Sequence, residues 1–238
     1  MSSLKLKDRI AVVTGASRGI GRAAAIALSK QGAHIIAISR TQGGLTDLDD
    51  EIKGHGGQAT LVPLDVCNGK GIDRLGAAIH ERWGKLDILV GNAAILGPLT
   101  PISHIDPKVW DKLLAVNLTA NHRLLRSLDP LLRLSDAGRA VFVTASVATT
   151  NTAYWGGYGA TKAALEAMVK TYANEMASTQ VRANLLDPGA VNTRLRTQAM
   201  PGEDPESLSK PEDIAPLFVE MVDSDFAANG EVVTYQRS

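Results

Sequence analysis

One cysteine, Cys67, stands in a chain of 238 residues. No disulfide can close within the chain, and a single thiol fits a reducing compartment. Cys67 reads as a buried or partly buried thiol, not a nucleophile. No apolar run approaches the roughly 18 to 20 residues that span a bilayer, and the N-terminal MSSLKLKDRI lacks a long apolar segment. A soluble, cytoplasmic protein is the expectation. Neither sign of charge is in excess: 25 Lys and Arg face 25 Asp and Glu. That balance removes the electrostatic case for nucleic acid or an anionic membrane and leaves a small molecule as the expected partner. The histidines, His34, His55, His80, His104 and His122, have no ligand spacing, so no metal site is expected. His122 reads as a surface or interface residue on a helix. Internal repeats, low-complexity tracts and linkers are also lacking.

What is present is alternation. Short Val- and Ile-rich runs at 10–15, 34–39, 59–66, 86–92, 140–146, 182–189 and 231–235 are separated by longer segments of helical period. Strands apolar on both faces and joined through helices imply right-handed crossovers and a parallel sheet. The expected fold is α/β: a doubly wound parallel sheet of about seven strands with helices on both faces. One dinucleotide-binding and catalytic domain is expected over 1–238, with 190–210 as a short substrate lid. The stretch 197–213, TQAMPGEDPESLSKPED, reads as a loop or lid before a last helix starting near Pro211.

The segment TGASRGIG joins the first strand to the first helix and holds Gly15, Ser17, Arg18, Gly19, Ile20 and Gly21. Gly15 permits a tight turn, Gly19 lets the main chain approach a pyrophosphate, and Gly21 lets the helix pack closely on the sheet. The helix N-terminus supplies free N–H groups and a positive dipole end. A dinucleotide is the natural ligand; a glycine-rich turn without a ligand is the competing reading. The second strand ends in ISRT. An acid there would hold a free ribose 2′-hydroxyl, whereas Arg40 can grip a 2′-phosphate bidentately, with Arg18 in the turn itself. NADP(H) is therefore expected over NAD(H), against the alternative of two solvated arginines.

In YWGGYGATK, Tyr154, Tyr158 and Lys162 stand at intervals of four. Tyr158 and Lys162 share a helix face about 6 Å apart along the axis, while Gly156 and Gly157 make helix continuity back to Tyr154 improbable. A phenol with a pKa near 10 is a poor base at neutral pH, and a fixed ammonium draws that value down. Ser146, read as the end of the strand VFVTAS, could hold a substrate oxygen beside the phenol or could simply cap backbone. Thr144 is the fallback.

These motifs, with LDV at 64–66, GNAA at 91–94, VNLT at 116–119 and DPGAVNT at 187–193, occur in an order that resembles the short-chain dehydrogenase/reductase family of the Y-x3-K type. The resemblance covers nearly the whole chain and implies a Rossmann-type fold. It implies Tyr158 as general acid or base, Ser146 orienting the substrate oxygen, Lys162 lowering the tyrosine pKa and binding the nicotinamide ribose, and Asn117 fixing a relay water through a helix distortion. It further places Asp65 and Val66 at adenine, Asn92, Ala93 and Ala94 along the cofactor, and Pro188, Gly189, Val191 and Thr193 beside the nicotinamide. A dimer or tetramer, paired through the helices near 108–134 and 158–178, is implied in the same way.

The chain departs from the family pattern at Gly91, where a second asparagine is usual, and at Ala94, where glycine is usual and a methyl could press on cofactor or pocket. The segment after Thr193 is short, as in a short-lidded bacterial subgroup. Leu96, Val147, Tyr154, Trp155 and Leu195 are the expected pocket walls, which favours an uncharged ketone, aldehyde or secondary alcohol. The expected activity is an NADP(H)-dependent carbonyl reductase or alcohol dehydrogenase. The alternative is a non-catalytic redox sensor or scaffold of the same fold.

Overall fold

The computed structural model describes residues 4–237. Seven strands form one sheet in the order β3-β2-β1-β4-β5-β6-β7. They are β1 (Ile10–Thr14), β2 (His34–Ser39), β3 (Gln58–Pro63), β4 (Ile88–Gly91), β5 (Arg139–Val143), β6 (Arg182–Asp187) and β7 (Val232–Thr234). All six pairings are parallel, with Val12 opposite Ile36 and Leu89, and Val143 opposite Leu186.

The helices are α1 (Gly19–Lys30), α2 (Gln42–Gly54), α3 (Gly69–Trp83), α4 (Pro107–Leu114), α5 (Ala120–Leu132), α6 (Val147–Thr150), α7 (Gly156–Glu175), α8 (Arg194–Ala199) and α9 (Pro211–Met221). A parallel strand needs cover on both faces, and the period of two in β1 divides its side chains accordingly. Ile10 and Val12 join Ile72, Leu128 and Val169 in a core under α3, α5 and α7. Ala11 and Val13 join Ala24, Leu48 and Phe218 in a second core under α1, α2 and α9. No helix among the described residues is long and apolar enough to cross a membrane.

Caps set where the helices begin. Asn68 Oδ1 accepts from Gly71 N at 3.0 Å to start α3, and Asp106 accepts from Lys108 N at 2.8 Å to start α4. Helix α9 starts at Pro211, where Asp213 accepts from Lys210 N at 2.7 Å. Helix α1 differs: Arg18 precedes it in extended conformation without a side-chain cap, so its first N–H groups stay free. Sheet order reverses between β1 and β4, and at such a switch point the loops diverge and leave a crevice at the carboxyl ends of the strands.

Candidate active site

A cleft of about 1300 Å³ occupies that crevice. One wall is the turn after β1. Gly15 and Gly19 have φ of +67° and +55°, a region that L side chains rarely adopt. A Cβ at Gly21 would stand 2.5 Å from the Gly15 carbonyl and overlap the Asn92 amide. Ser39 Oγ donates to Ser17 Oγ at 2.8 Å, which holds the turn against the end of β2. Thr14, unnoticed in the sequence, pins the opposite loop: its hydroxyl accepts from Asn92 N at 2.9 Å and Ala93 N at 3.1 Å.

The next wall is cationic. Arg18 and Arg40 line the cleft, and Arg40 Nη1 lies 3.9 Å from Asp65 Oδ2 with both side chains well exposed. Asp65 also accepts from Cys67 N at 2.9 Å, which fixes the carboxylate beside Val66. Cys67 is partly buried, and burial pushes its thiol pKa up. A turn with glycines at 15, 19 and 21, uncapped helix N–H groups, Arg18 in that turn and Arg40 just past the end of β2 together fit the pyrophosphate and 2′-phosphate of a dinucleotide.

Tyr158 and Lys162 meet on the cleft side of α7. Tyr158 is buried among Leu96, Leu99, Val147, Trp155, Leu195 and Ala199. Lys162 donates to the Val143 carbonyl at 2.7 Å, and its Nζ lies 5.4 Å from the centre of the phenol ring. The expected drop in the tyrosine pKa is absent from this geometry. Burial pushes the phenol well above its ordinary value, and the negative charge of Asp187 adds to the rise. Burial also lowers Lys162 to about 8, against an opposing pull from Glu166.

Ser146 differs from its expected setting, because β5 ends at Val143 where pairing with β6 stops. Ser146 sits three residues on, before α6, exposed towards the cleft and with no capping bond from its side chain. Thr144 is no free substitute: it is buried and donates to Glu166 Oε1 at 2.8 Å.

Asn117 lies in a π-helical segment, Ala115–Thr119, between α4 and α5. Its amide accepts from Ile95 N at 2.9 Å and donates to Ile95 O at 2.9 Å and Thr161 Oγ1 at 3.0 Å. The side chain thus ties the loop after β4 to α7. Its carbonyl, released by the π distortion, accepts from Asn121 Nδ2 at 2.8 Å.

Tyr154 is the pocket residue the structure removes. Its φ is +70°, it is 61% exposed, and it faces a separate groove of about 380 Å³ beside Ile102. The other four expected walls, Leu96, Val147, Trp155 and Leu195, do line the cleft.

Pro188, Gly189, Val191 and Thr193 form the rim after β6. The Thr193 hydroxyl accepts from Arg196 N at 3.2 Å and so starts α8, three residues earlier than the loop expected from 197. Arg196 grips Glu203 bidentately at 2.5 and 2.6 Å, tying α8 to the loop that follows it. Ala94 lines the cleft beside Asn92 and Ala93. Gly91 has a clear reason: a Cβ there would overlap the Phe142 ring and stand 2.8 Å from Asn121 Oδ1.

The short chain dehydrogenase family profile matches residues 9–204. The uncharacterized oxidoreductase YciK of Escherichia coli is 37% identical over 223 residues, spanning 92% of this chain and 88% of its own. A solved short chain dehydrogenase from Salmonella enterica serovar Typhi superposes with a TM-score of 0.95 at 34% identity, covering 100% of this chain and 99% of that one. Another from Escherichia coli, complexed with NADPH, gives a TM-score of 0.92 at 35% identity, covering 100% of both chains. On this match of sequence and fold, the chain belongs to the short-chain dehydrogenase/reductase family.

Proposed function

We propose that the protein is an NADP(H)-dependent oxidoreductase that interconverts an uncharged carbonyl compound and its alcohol. The observation that carries this reading is the phenol of Tyr158, seated in an apolar cage one helical turn from Lys162 and opening on the glycine-lined cleft. The NADPH held by the similar Escherichia coli structure supports the choice of cofactor.

The turn from Gly15 to Gly21 takes the pyrophosphate on backbone N–H groups, and Arg18 and Arg40 take the 2′-phosphate. Asp65 and Val66 would border the adenine, Asn92, Ala93 and Ala94 would lie along the cofactor, and the rim from Pro188 to Thr193 would flank the nicotinamide. When bound, that cofactor supplies or accepts the hydride. Ser146 holds the substrate oxygen, and Tyr158 donates its proton to that oxygen in reduction or takes it back in oxidation. Lys162 binds the nicotinamide ribose and sets the charge beside the phenol. Asn117 holds the loop and helix in register around the site. The walls Leu96, Val147, Trp155 and Leu195 favour an uncharged substrate and exclude water. Two or four copies of the chain assemble through α4, α5 and α7.

The test is cofactor oxidation across a panel of ketones and aldehydes, run beside Tyr158→Phe. Wild-type turnover with a loss of at least about a hundredfold in the variant is expected, the usual size of a general-acid contribution. NADPH binding without turnover of any carbonyl would instead favour the sensor or scaffold reading.

A further inference from the structure

Glu166 is a buried carboxylate outside the machinery described so far. It is 8% exposed, on the turn of α7 that follows Lys162. Oε1 accepts from the Thr144 hydroxyl at 2.8 Å, and Oε2 lies 3.5 Å from Lys170 Nζ, whose side chain is half exposed. One neutral hydrogen bond and one long contact to a solvated cation are slight compensation for a charge taken from water. Lys162, at i−4 on the same helix, is the buried cation placed to complete the balance. Thr144 also directly follows Val143, whose carbonyl receives the Lys162 ammonium at 2.7 Å. The bond from Thr144 to Glu166 therefore holds the strand end that seats the lysine.

We propose that Glu166 is a positioning residue for Lys162: with Thr144 it anchors the end of β5 against α7, and its charge keeps the lysine in its ammonium form through neutral pH. The catalytic consequence rests on the oxidoreductase reading above; the coupling between the two side chains does not.

The surroundings leave few rivals for this role. From α7 itself, Tyr158 and Lys170 are the other titratable groups near the pair. At the carboxyl end of β6, Asp187 borders the same cleft, whereas Arg139 and Arg182 lie at the opposite ends of β5 and β6. Helix α6 and the π segment contribute no charged side chain, and Lys108, Asp111 and Lys112 of α4 are exposed. Burial lowers the Lys162 pKa and Glu166 raises it, the sign this arrangement requires.

The test follows the lysine directly in ligand-free protein isotope-labelled at lysine Cε, with the Lys162 resonance assigned by its loss in Lys162→Met. Glu166→Gln keeps the shape and the acceptor for Thr144 but removes the charge. Its Lys162 midpoint is expected to fall by about half a unit to one unit, the lower end of what a nearby charge does. Lys170→Met removes a cation about 12 Å along the helix, and its midpoint is expected to rise by about two to four tenths. A merely structural role would not move the two in opposite directions. The alkaline limb of the reduction rate should follow each shift. A midpoint that stays fixed or rises in Glu166→Gln overturns the proposal. Should that variant fail to fold, a Lys170→Met midpoint that stays fixed or falls overturns it. Absence of turnover in wild type would defeat the oxidoreductase reading while the titration still decides the coupling.

Discussion

Lys162 Nζ lies 5.4 Å from the centre of the Tyr158 ring and is hydrogen-bonded to the Val143 carbonyl, not to the phenol. Burial raises the tyrosine pKa out of the working range and lowers that of the lysine to about 8. In this geometry the lysine, not the tyrosine, titrates near neutrality. The phenol stays protonated and ready to donate. A plot of kcat/KM for NADPH in the reductive direction, which reports groups of the free enzyme, should be flat below neutrality. It should fall on the alkaline side about a midpoint near 8, as Lys162 loses its charge. A profile flat to about pH 10, the range of an unperturbed phenol, would contradict this.

The same burial makes Lys162 a stability liability. Its folded pKa of about 8 lies below the ordinary 10.5, so the folded state disfavours the charged form. The penalty, about 3 kcal/mol, applies in full below the folded value, shrinks as pH rises, and vanishes above the unfolded value. Lys162→Met removes it but leaves the Val143 carbonyl without its donor, which costs about 1 kcal/mol. The variant should be inactive yet melt about 2 to 8 °C above wild type at neutral pH, a net gain of about 1 to 2 kcal/mol. Melting curves repeated near pH 10 should show the gap reduced.

Arg40 is well exposed and has only a 3.9 Å contact to Asp65, so its guanidinium is free to turn towards a phosphate. Hydrogen bonds between charged partners contribute about 1.5 to 3 kcal/mol each. Arg40→Ala should raise KM for NADPH about ten- to a hundredfold while leaving KM for NADH nearly unchanged. Initial rates with the two cofactors measure both. Equal effects on the two would remove Arg40 from 2′-phosphate recognition.

Much of the scaffold was legible because its signals are local. Val- and Ile-rich runs marked all seven strands, and the glycines of the first turn marked the crevice, since each rule concerns only neighbouring residues. Where the reading failed, the deciding contact was distant or the backbone turned unexpectedly. Tyr154 shares the four-residue spacing of Tyr158, but its left-handed φ of +70° precedes the helix and directs the ring elsewhere. Ser146 resembled a strand end because VFVTAS reads as one run, yet pairing with β6 stops at Val143. Spacing placed Lys162 beside the phenol but carried no information on burial, which here outweighs the charge. Glu166 and Thr144 meet across 22 residues of sequence, and Asn121 borders the Gly91 position from a distant part of the chain, so no local pattern announces them.

Gly91 offers the sharpest test of that last class. The family asparagine expected at this position is replaced by a residue with no side chain, and the space is filled by the Phe142 ring and the Asn121 amide, which itself donates to the Asn117 carbonyl. Restoring Gly91→Asn must therefore displace a fully buried ring of β5 and the amide that satisfies the π segment. Overpacking of this kind costs about 1 to 3 kcal/mol or more, so the variant should unfold at clearly lower denaturant. Phe142→Leu alone should also destabilise, by leaving space in the core. The pair combined should be less destabilised than the sum of the two, because each relieves the fault of the other. Additive losses in the double variant would mean that the ring is not what excludes a side chain at position 91.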